Sequence, residues 1–144
     1  MRTRKGFTLV EVLIVVIILG ILAAIVVPQF SNASTNAQLS ALTQNLQTIR
    51  GQLQLYKAQH NDTWPTAAGF VNQMTLASKS DGTTAAIGTS GYTLGPYLQA
   101  IPNNPYTNTN TVGNTAVGTT AWYYDDAAAP GVFRANNSAT YTGS

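Results

Sequence analysis

The chain opens with a pattern unlike the rest. From Phe7 to Val27 nearly every position is apolar, interrupted by Thr8, Glu11 and Gly20, and residues 12–27 carry no polar side chain. A segment that is apolar on all sides needs lipid or other apolar helices around it. As a helix it rises about 31 Å at about 1.5 Å per residue, which matches a hydrocarbon core of about 30 Å. Beyond Pro28 the pattern changes. Leu39, Leu42, Leu46, Ile49, Leu53 and Tyr56 recur at alternating spacings of three and four, with Gln38, Ser40, Gln44, Asn45, Gln47, Gln52 and Gln54 between them. That is one helical stripe. The pattern predicts a single helix over residues 8–59, apolar all round in its first half and amphipathic in its second. Pro28 lacks an N–H and crowds the preceding turn, so it and Gly20 are the expected points of flexibility. The alternative, that Pro28 ends the span, stays open. Trp64 before Pro65 is biased to extended geometry, and the segment 60–65 is expected to stop the helix.

The remainder alternates short apolar groups with turn residues. Residues 67–77 are expected to form a second short helix capped by Thr66. Residues 79–91, punctuated by Gly82, Gly88 and Gly91, read as a loop. Gly95-Pro96-Tyr97-Leu98 reads as a turn with apolar anchors, and Pro102-Asn103-Asn104-Pro105 as a rigid turn. Residues 107–117 form either an edge strand or a loop. Residues 119–124 and 132–135 read as strands joined by a hairpin loop over 125–131, with Tyr141 as a further edge residue. The fold class is therefore α+β: one long N-terminal helix packed on a small antiparallel sheet of two or three strands. A coiled coil is the rival for the stripe, but it lacks the flanking charge pattern such a seam carries.

Composition narrows the chemistry. Cys is absent and there is one His, so disulfide staples, Cys-ligated metals and multi-His sites are excluded. The formal charge of +2 comes from the first residues, where Arg2, Arg4 and Lys5 lie. Elsewhere Arg50, Lys57, Lys79 and Arg134 face five acidic residues. There is no basic patch for a phosphate backbone, and no nucleic-acid partner is expected. A basic leader ahead of an apolar span orients the span with its leader in the cytoplasm and the head outside.

Glu11 is the odd residue of the span. A carboxylate near the start of a membrane helix is unfavourable by up to about 3 kcal/mol at mid-bilayer and by less at the interface. A cut between Gly6 and Phe7 supplies a partner, a new α-amine, with an ordinary pKa of about 7.7–8.0. Phe7 and Glu11, four apart, share one face of a helix, and the first turn favours an anion.

The run Lys5-Gly6-Phe7-Thr8-Leu9-Val10-Glu11-Val12-Leu13-Ile14-Val15-Val16, continuing to Pro28, resembles the N-terminal signature of type IV pilins and pseudopilins. The resemblance implies cleavage after Gly6 by a prepilin peptidase, methylation of the Phe7 amine, and assembly through Phe7 and Glu11, whose carboxylate meets the amine of a neighbouring subunit. It divides the chain into a leader (1–6), a hydrophobic transmembrane and assembly helix (7–30), its amphipathic continuation (31–60) and a globular head (61–144). A plain membrane anchor needs neither Glu11 nor Gly6-Phe7 placed before it. A secretory signal has a shorter apolar region without an acid.

A second likeness lies in the head. Gly95-Pro96-Tyr97-Leu98, followed by Ile101-Pro102-Asn103-Asn104-Pro105-Tyr106, is similar to a segment of major type II secretion pseudopilins, with Asn104 where an Asp is typical. In those proteins a C-terminal loop binds calcium. Here Asp125 and Asp126 are the paired acids, with Asn136 and Asn137 nearby, a sparse supply for an ion that takes 6–8 oxygens.

No nucleophile stands with a base and an orienter, and no phosphate-binding loop is present, so an enzyme is not expected. His60 reads as a helix-terminal residue, and Trp122, Tyr123 and Tyr124 as alternating strand positions. Asn32, Asn61 and Asn136 begin glycosylation sequons, a weak signal. The reading is a structural subunit of a type IV pilus-like helical filament. Its expected partners are copies of itself, a prepilin peptidase, an inner-membrane assembly platform and, before assembly, membrane lipid. Its expected location is the inner membrane, then an extracellular filament or a periplasmic pseudopilus. The alternatives are a major type II secretion pseudopilin and, from another class, a membrane-anchored monomeric binding module.

Overall fold

The computed structural model describes residues 6–127 and 131–136. The basic residues before Gly6, part of the 125–131 connection, Asn137 and Tyr141 lie outside the described residues. Helix α1 runs over Leu9–Gln59 with Pro28 inside it, so the helix passes through the proline rather than ending there. Pro28 offers no N–H to the carbonyl of Ala24, so that turn lacks one backbone bond. The chain forms two compact units, residues 1–37 and 38–144. In the first, the large hydrophobic side chains from Leu9 to Phe30 are all exposed.

In the second unit the stripe of α1 supplies the core. Leu42, Leu46, Ile49, Leu53 and Tyr56 are buried, while Leu39 is 45% exposed, so the covered stripe begins one step later than the pattern predicts. Helix α2 (Phe70–Thr75) adds Phe70 and Met74. Strands β4 (Trp122–Asp125) and β5 (Val132–Ala135) pair antiparallel, with Tyr123 opposite Arg134 and Tyr124 opposite Phe133. The alternation of the pleat turns Trp122 and Tyr124 of β4, and Phe133 and Ala135 of β5, into the core. The Arg134 guanidinium lies 4.0 Å from the Tyr123 ring on the other face. Two bonds lock the layers together. Arg50 Nε donates to the Phe133 carbonyl (3.1 Å), and Tyr124 Oη donates to the Pro65 carbonyl (2.7 Å).

Several expectations give way here. Residues 67–77 are not one helix. α2 is six residues long, and Ala77–Ser78 is strand β1, paired antiparallel with β2 (Thr84–Ala85) inside what reads as a loop. The Thr66 hydroxyl accepts from the Gly69 N–H (3.1 Å) and closes a turn ahead of the helix, which itself starts without a side-chain cap. Within residues 107–117 only β3 (Val112–Gly113) is strand, and it pairs with β4 in parallel, not antiparallel. The reason is tertiary. The connection between β3 and β4 is held by Asn136, whose Nδ2 donates to the Ala116 carbonyl (3.1 Å) and whose own carbonyl accepts from the Gly118 N–H (2.6 Å). The described strands thus form two small sheets, β1-β2 and β3-β4-β5.

The segment around Gly95 is a docking turn. The N–H groups of Tyr97 and Leu98 both donate to the Met74 carbonyl, at 3.0 and 2.8 Å, and so satisfy the C-terminal end of α2. Tyr97 Oη donates to Gln59 Oε1 (2.7 Å) at the end of α1. Gly95 is required: its φ is +69°, and a Cβ there would lie 2.7 Å from the Leu76 carbonyl oxygen.

Candidate functional site

The sequence directs attention to the start of α1, and the local chemistry there is a capping box. The Thr8 hydroxyl accepts from the Glu11 N–H (3.2 Å), and the Glu11 carboxylate reaches back to the Thr8 N–H (3.4 Å). Two N–H groups that a helix start leaves unpaired are thereby satisfied. Phe7 lies before the helix and is 83% exposed, so in this chain it does not share a helical face with Glu11. The Thr-x-x-Glu spacing that announces the box is visible in the sequence. Its significance is that Glu11 has a partner on its own chain before any other subunit is present.

Behind the box, residues 9–27 present Leu, Ile and Val in every direction. The apolar stretch of α1 is long and apolar enough to cross a membrane, and none of that window is buried within the chain. Burying one such side chain is favourable by about 1.5–3 kcal/mol. The segment is therefore a surface that must be covered, with one charged group at its end.

His60 is more than a helix-terminal residue. It is 1% exposed, stacked on Tyr56 with ring centroids 3.6 Å apart, and edge-on to Tyr97. Nδ1 lies 2.8 Å from the Tyr56 carbonyl, which only accepts, so Nδ1 carries the proton. Nε2 lies 3.1 Å from the Ser78 hydroxyl, which donates to it in the neutral ring. Both nitrogens are engaged within the head, tying the end of α1 to Ser78 of β1. Burial pushes the Tyr56 hydroxyl up to about 12, and it also raises Tyr97 and Tyr124 above the ordinary phenol value.

The likeness to calcium-binding pseudopilins is tested by Asp125 and Asp126. Asp125 accepts from the Tyr123 hydroxyl (3.1 Å) and the Ala127 N–H (2.9 Å). Asp126 accepts from the Ala67 N–H (2.9 Å), ahead of α2. The two carboxylates thus serve different partners. Asp62 is bridged to Lys57 (3.1 Å), and Asp81 is held below the usual carboxylate range chiefly by the Thr83 hydroxyl. Among the described residues, no three His, Cys, Asp or Glu side chains converge. Calcium sites gather several carboxylates around one point, and among the described residues the carboxylates of Asp125 and Asp126 serve separate backbone groups.

A long helix with a bare apolar half, a capped acid at its head and a small α+β globule packed on its other half define a filament-subunit class of protein. Residues 1–27 match the family described as "Prokaryotic N-terminal methylation motif". The type II secretion system core protein G of Aeromonas hydrophila is 33% identical over 107 residues, covering 74% of this chain and 71% of that protein. The core protein G of Klebsiella pneumoniae is 29% identical over 106 residues, covering 74% and 71%. The type IV major fimbrial protein of Dichelobacter nodosus is 32% identical over 95 residues, covering 63% and 61%. No solved structure matches the chain. The chain belongs to the type IV pilin and type II secretion pseudopilin family, and is a pilin or pseudopilin subunit.

Proposed function

We propose that this protein is the structural subunit of a type IV pilus-like helical filament, assembled through residues 7–27 after removal of residues 1–6. The observation that carries the reading is the exposed apolar half of α1, closed at its N-terminal end by Glu11. Before assembly, lipid covers that half in the inner membrane, with the head outside. In the filament, the same half of neighbouring copies replaces the lipid. Prepilin peptidase cleaves at Gly6/Phe7 and methylates Phe7, and an inner-membrane platform drives assembly. The new Phe7 amine of one subunit draws the Glu11 carboxylate of another out of its capping box. A charge buried without its partner is penalised by about 3–5 kcal/mol, so only the matched axial register is stable. No catalysis and no cofactor are part of this role.

A second reading, a pseudopilus of a type II secretion system, is favoured by the match of core protein G relatives into the head and by the docking turn at Gly95–Leu98. Intact mass separates the readings. Protein sheared from the cell surface that starts at Phe7 and carries one added methyl group supports the pilus. The same mass confined to the cell envelope supports the pseudopilus. Protein retaining residues 1–6 in cells with an active peptidase would return the chain to the class of membrane-anchored binding modules.

A further inference from the structure

Where the end of α1 meets the turn between β1 and β2, the head holds a cavity of about 220 Å³. Tyr56 forms part of its lining, and its side chain is otherwise enclosed: the residue is 1% exposed and its ring is stacked on His60. Among the described residues, nothing hydrogen-bonds the Tyr56 hydroxyl, although the other phenol deep in the core, Tyr124, has a carbonyl partner at 2.7 Å. Burial disfavours the phenolate, so the group remains an O–H donor across the physiological range. The Tyr56 hydroxyl opens onto the cavity, so its donor is available to an acceptor that enters the space.

The walls are fixed. Gln73 Oε1 accepts from the Thr66 N–H (2.8 Å), and its Nε2 donates to the Gly82 carbonyl (3.0 Å), so one amide braces two loops. Gly82 keeps the cavity open. Its φ is +84°, and a Cβ there would lie 3.2 Å from Gln73 Nε2 and 3.3 Å from the Tyr56 hydroxyl. The Asp81 carboxylate stands on the lining as an ionised acceptor, with Oδ1 engaged by the Thr83 N–H (2.9 Å) and hydroxyl. The Ser80 hydroxyl is a further donor or acceptor. Among the described residues, no Lys or Arg lines the cavity.

We propose that this cavity binds a single sugar ring, free or at the end of a glycan. Three properties of the lining select that chemistry. The carboxylate and the lack of cations disfavour an anion. A cation, which only donates, leaves the Tyr56 donor unmet. A neutral polyhydroxylated ring donates to Asp81 and accepts from Tyr56 at once. The volume is below the roughly 300–1,000 Å³ of drug-sized sites, which suits one ring and not an oligosaccharide. The site is independent of α1 residues 7–27, so its failure leaves the filament reading untouched.

The test is a saturation-transfer NMR titration of full-length protein in detergent with the methyl glycosides of glucose, galactose, mannose and N-acetylglucosamine, with methylammonium as the cation control. Saturable binding of at least one glycoside is expected. Tyr56→Phe keeps the buried ring and removes the hydroxyl, and should weaken that binding about tenfold with little change in Tm. Asp81→Asn, on the exposed turn, should also weaken it and provides the readout if Tyr56→Phe fails to fold. No saturation by any glycoside would overturn the proposal and leave the cavity to water. Saturation by methylammonium alone, or glycoside binding indifferent to both substitutions, would overturn it equally.

Discussion

At Asn104 the difference between an amide and a carboxylate decides whether a turn is satisfied. Its side chain is fully buried; Nδ2 donates to the Ala121 carbonyl (2.8 Å) and Oδ1 accepts from the Tyr106 N–H (3.0 Å). An Asp, the residue typical of the similar pseudopilin segment, has no donor for Ala121 when ionised. Asn104→Asp is therefore expected to destabilise the head by about 2–4 kcal/mol at neutral pH, measured by denaturant unfolding. A variant as stable as the parent would show that the Ala121 bond is dispensable. The buried phenols make a second residue-scale prediction. Tyr56 is raised from an ordinary value near 10 to about 12, chiefly by burial, and Tyr97 and Tyr124 are raised as well. A raised pKa means that the fold favours the neutral form. That contribution is fully present below about pH 10 and is lost as pH rises through about 12. Tm should fall steeply over that alkaline window, and less steeply in Tyr56→Phe; identical profiles for the two proteins would count against a raised Tyr56.

The first half of α1 and its capping box belong together at the scale of the element. The box stabilises the helix start by only about 1 kcal/mol, so Glu11→Gln, whose amide oxygen still accepts from Thr8, should leave the helix and the head's Tm unchanged. The same substitution removes the charge needed for the Phe7 amine of a neighbour. Filament yield per cell, compared with membrane-retained subunit by quantitative immunoblotting, is expected to drop at least tenfold while processing at Gly6 continues. Normal filament yield from Glu11→Gln would dismiss the charge-pairing account of register. The second half of α1 was legible because a helix that buries one face must repeat its apolar residues every three or four positions, as Leu42, Leu46, Ile49, Leu53 and Tyr56 do. The strands β1, β2 and β3 were not legible, because each has two residues and none can display a period.

For the molecule as a whole, the head closes on protein groups. Asp126 ties the end of β4 to Ala67, Tyr124 reaches Pro65, and the Trp122 indole N–H donates to the Pro102 carbonyl (2.9 Å). Each link joins the small sheet to a segment distant in sequence. If these bonds do the work a cation would otherwise do, then millimolar calcium and its removal by a chelator should give the same Tm. Asp126→Asn should lower Tm equally in both conditions. A rise in Tm with calcium that Asp126→Asn abolishes would instead place an ion at this corner.

The sequence by itself determined the long helix, its division at Pro28 into an apolar and an amphipathic half, the acid at its head, the β4–β5 hairpin pair and the family likeness. Those features are written in local periodicity and in a contiguous motif, which need no knowledge of distant partners. Only the tertiary structure decided the parallel pairing of β3, the burial of His60 between Tyr56 and Tyr97, the amide requirement at Asn104, the separate engagements of Asp125 and Asp126, and the cavity floored by Tyr56. Each of these depends on which backbone carbonyl or N–H a distant segment brings within about 3 Å, and no one-dimensional pattern records that choice.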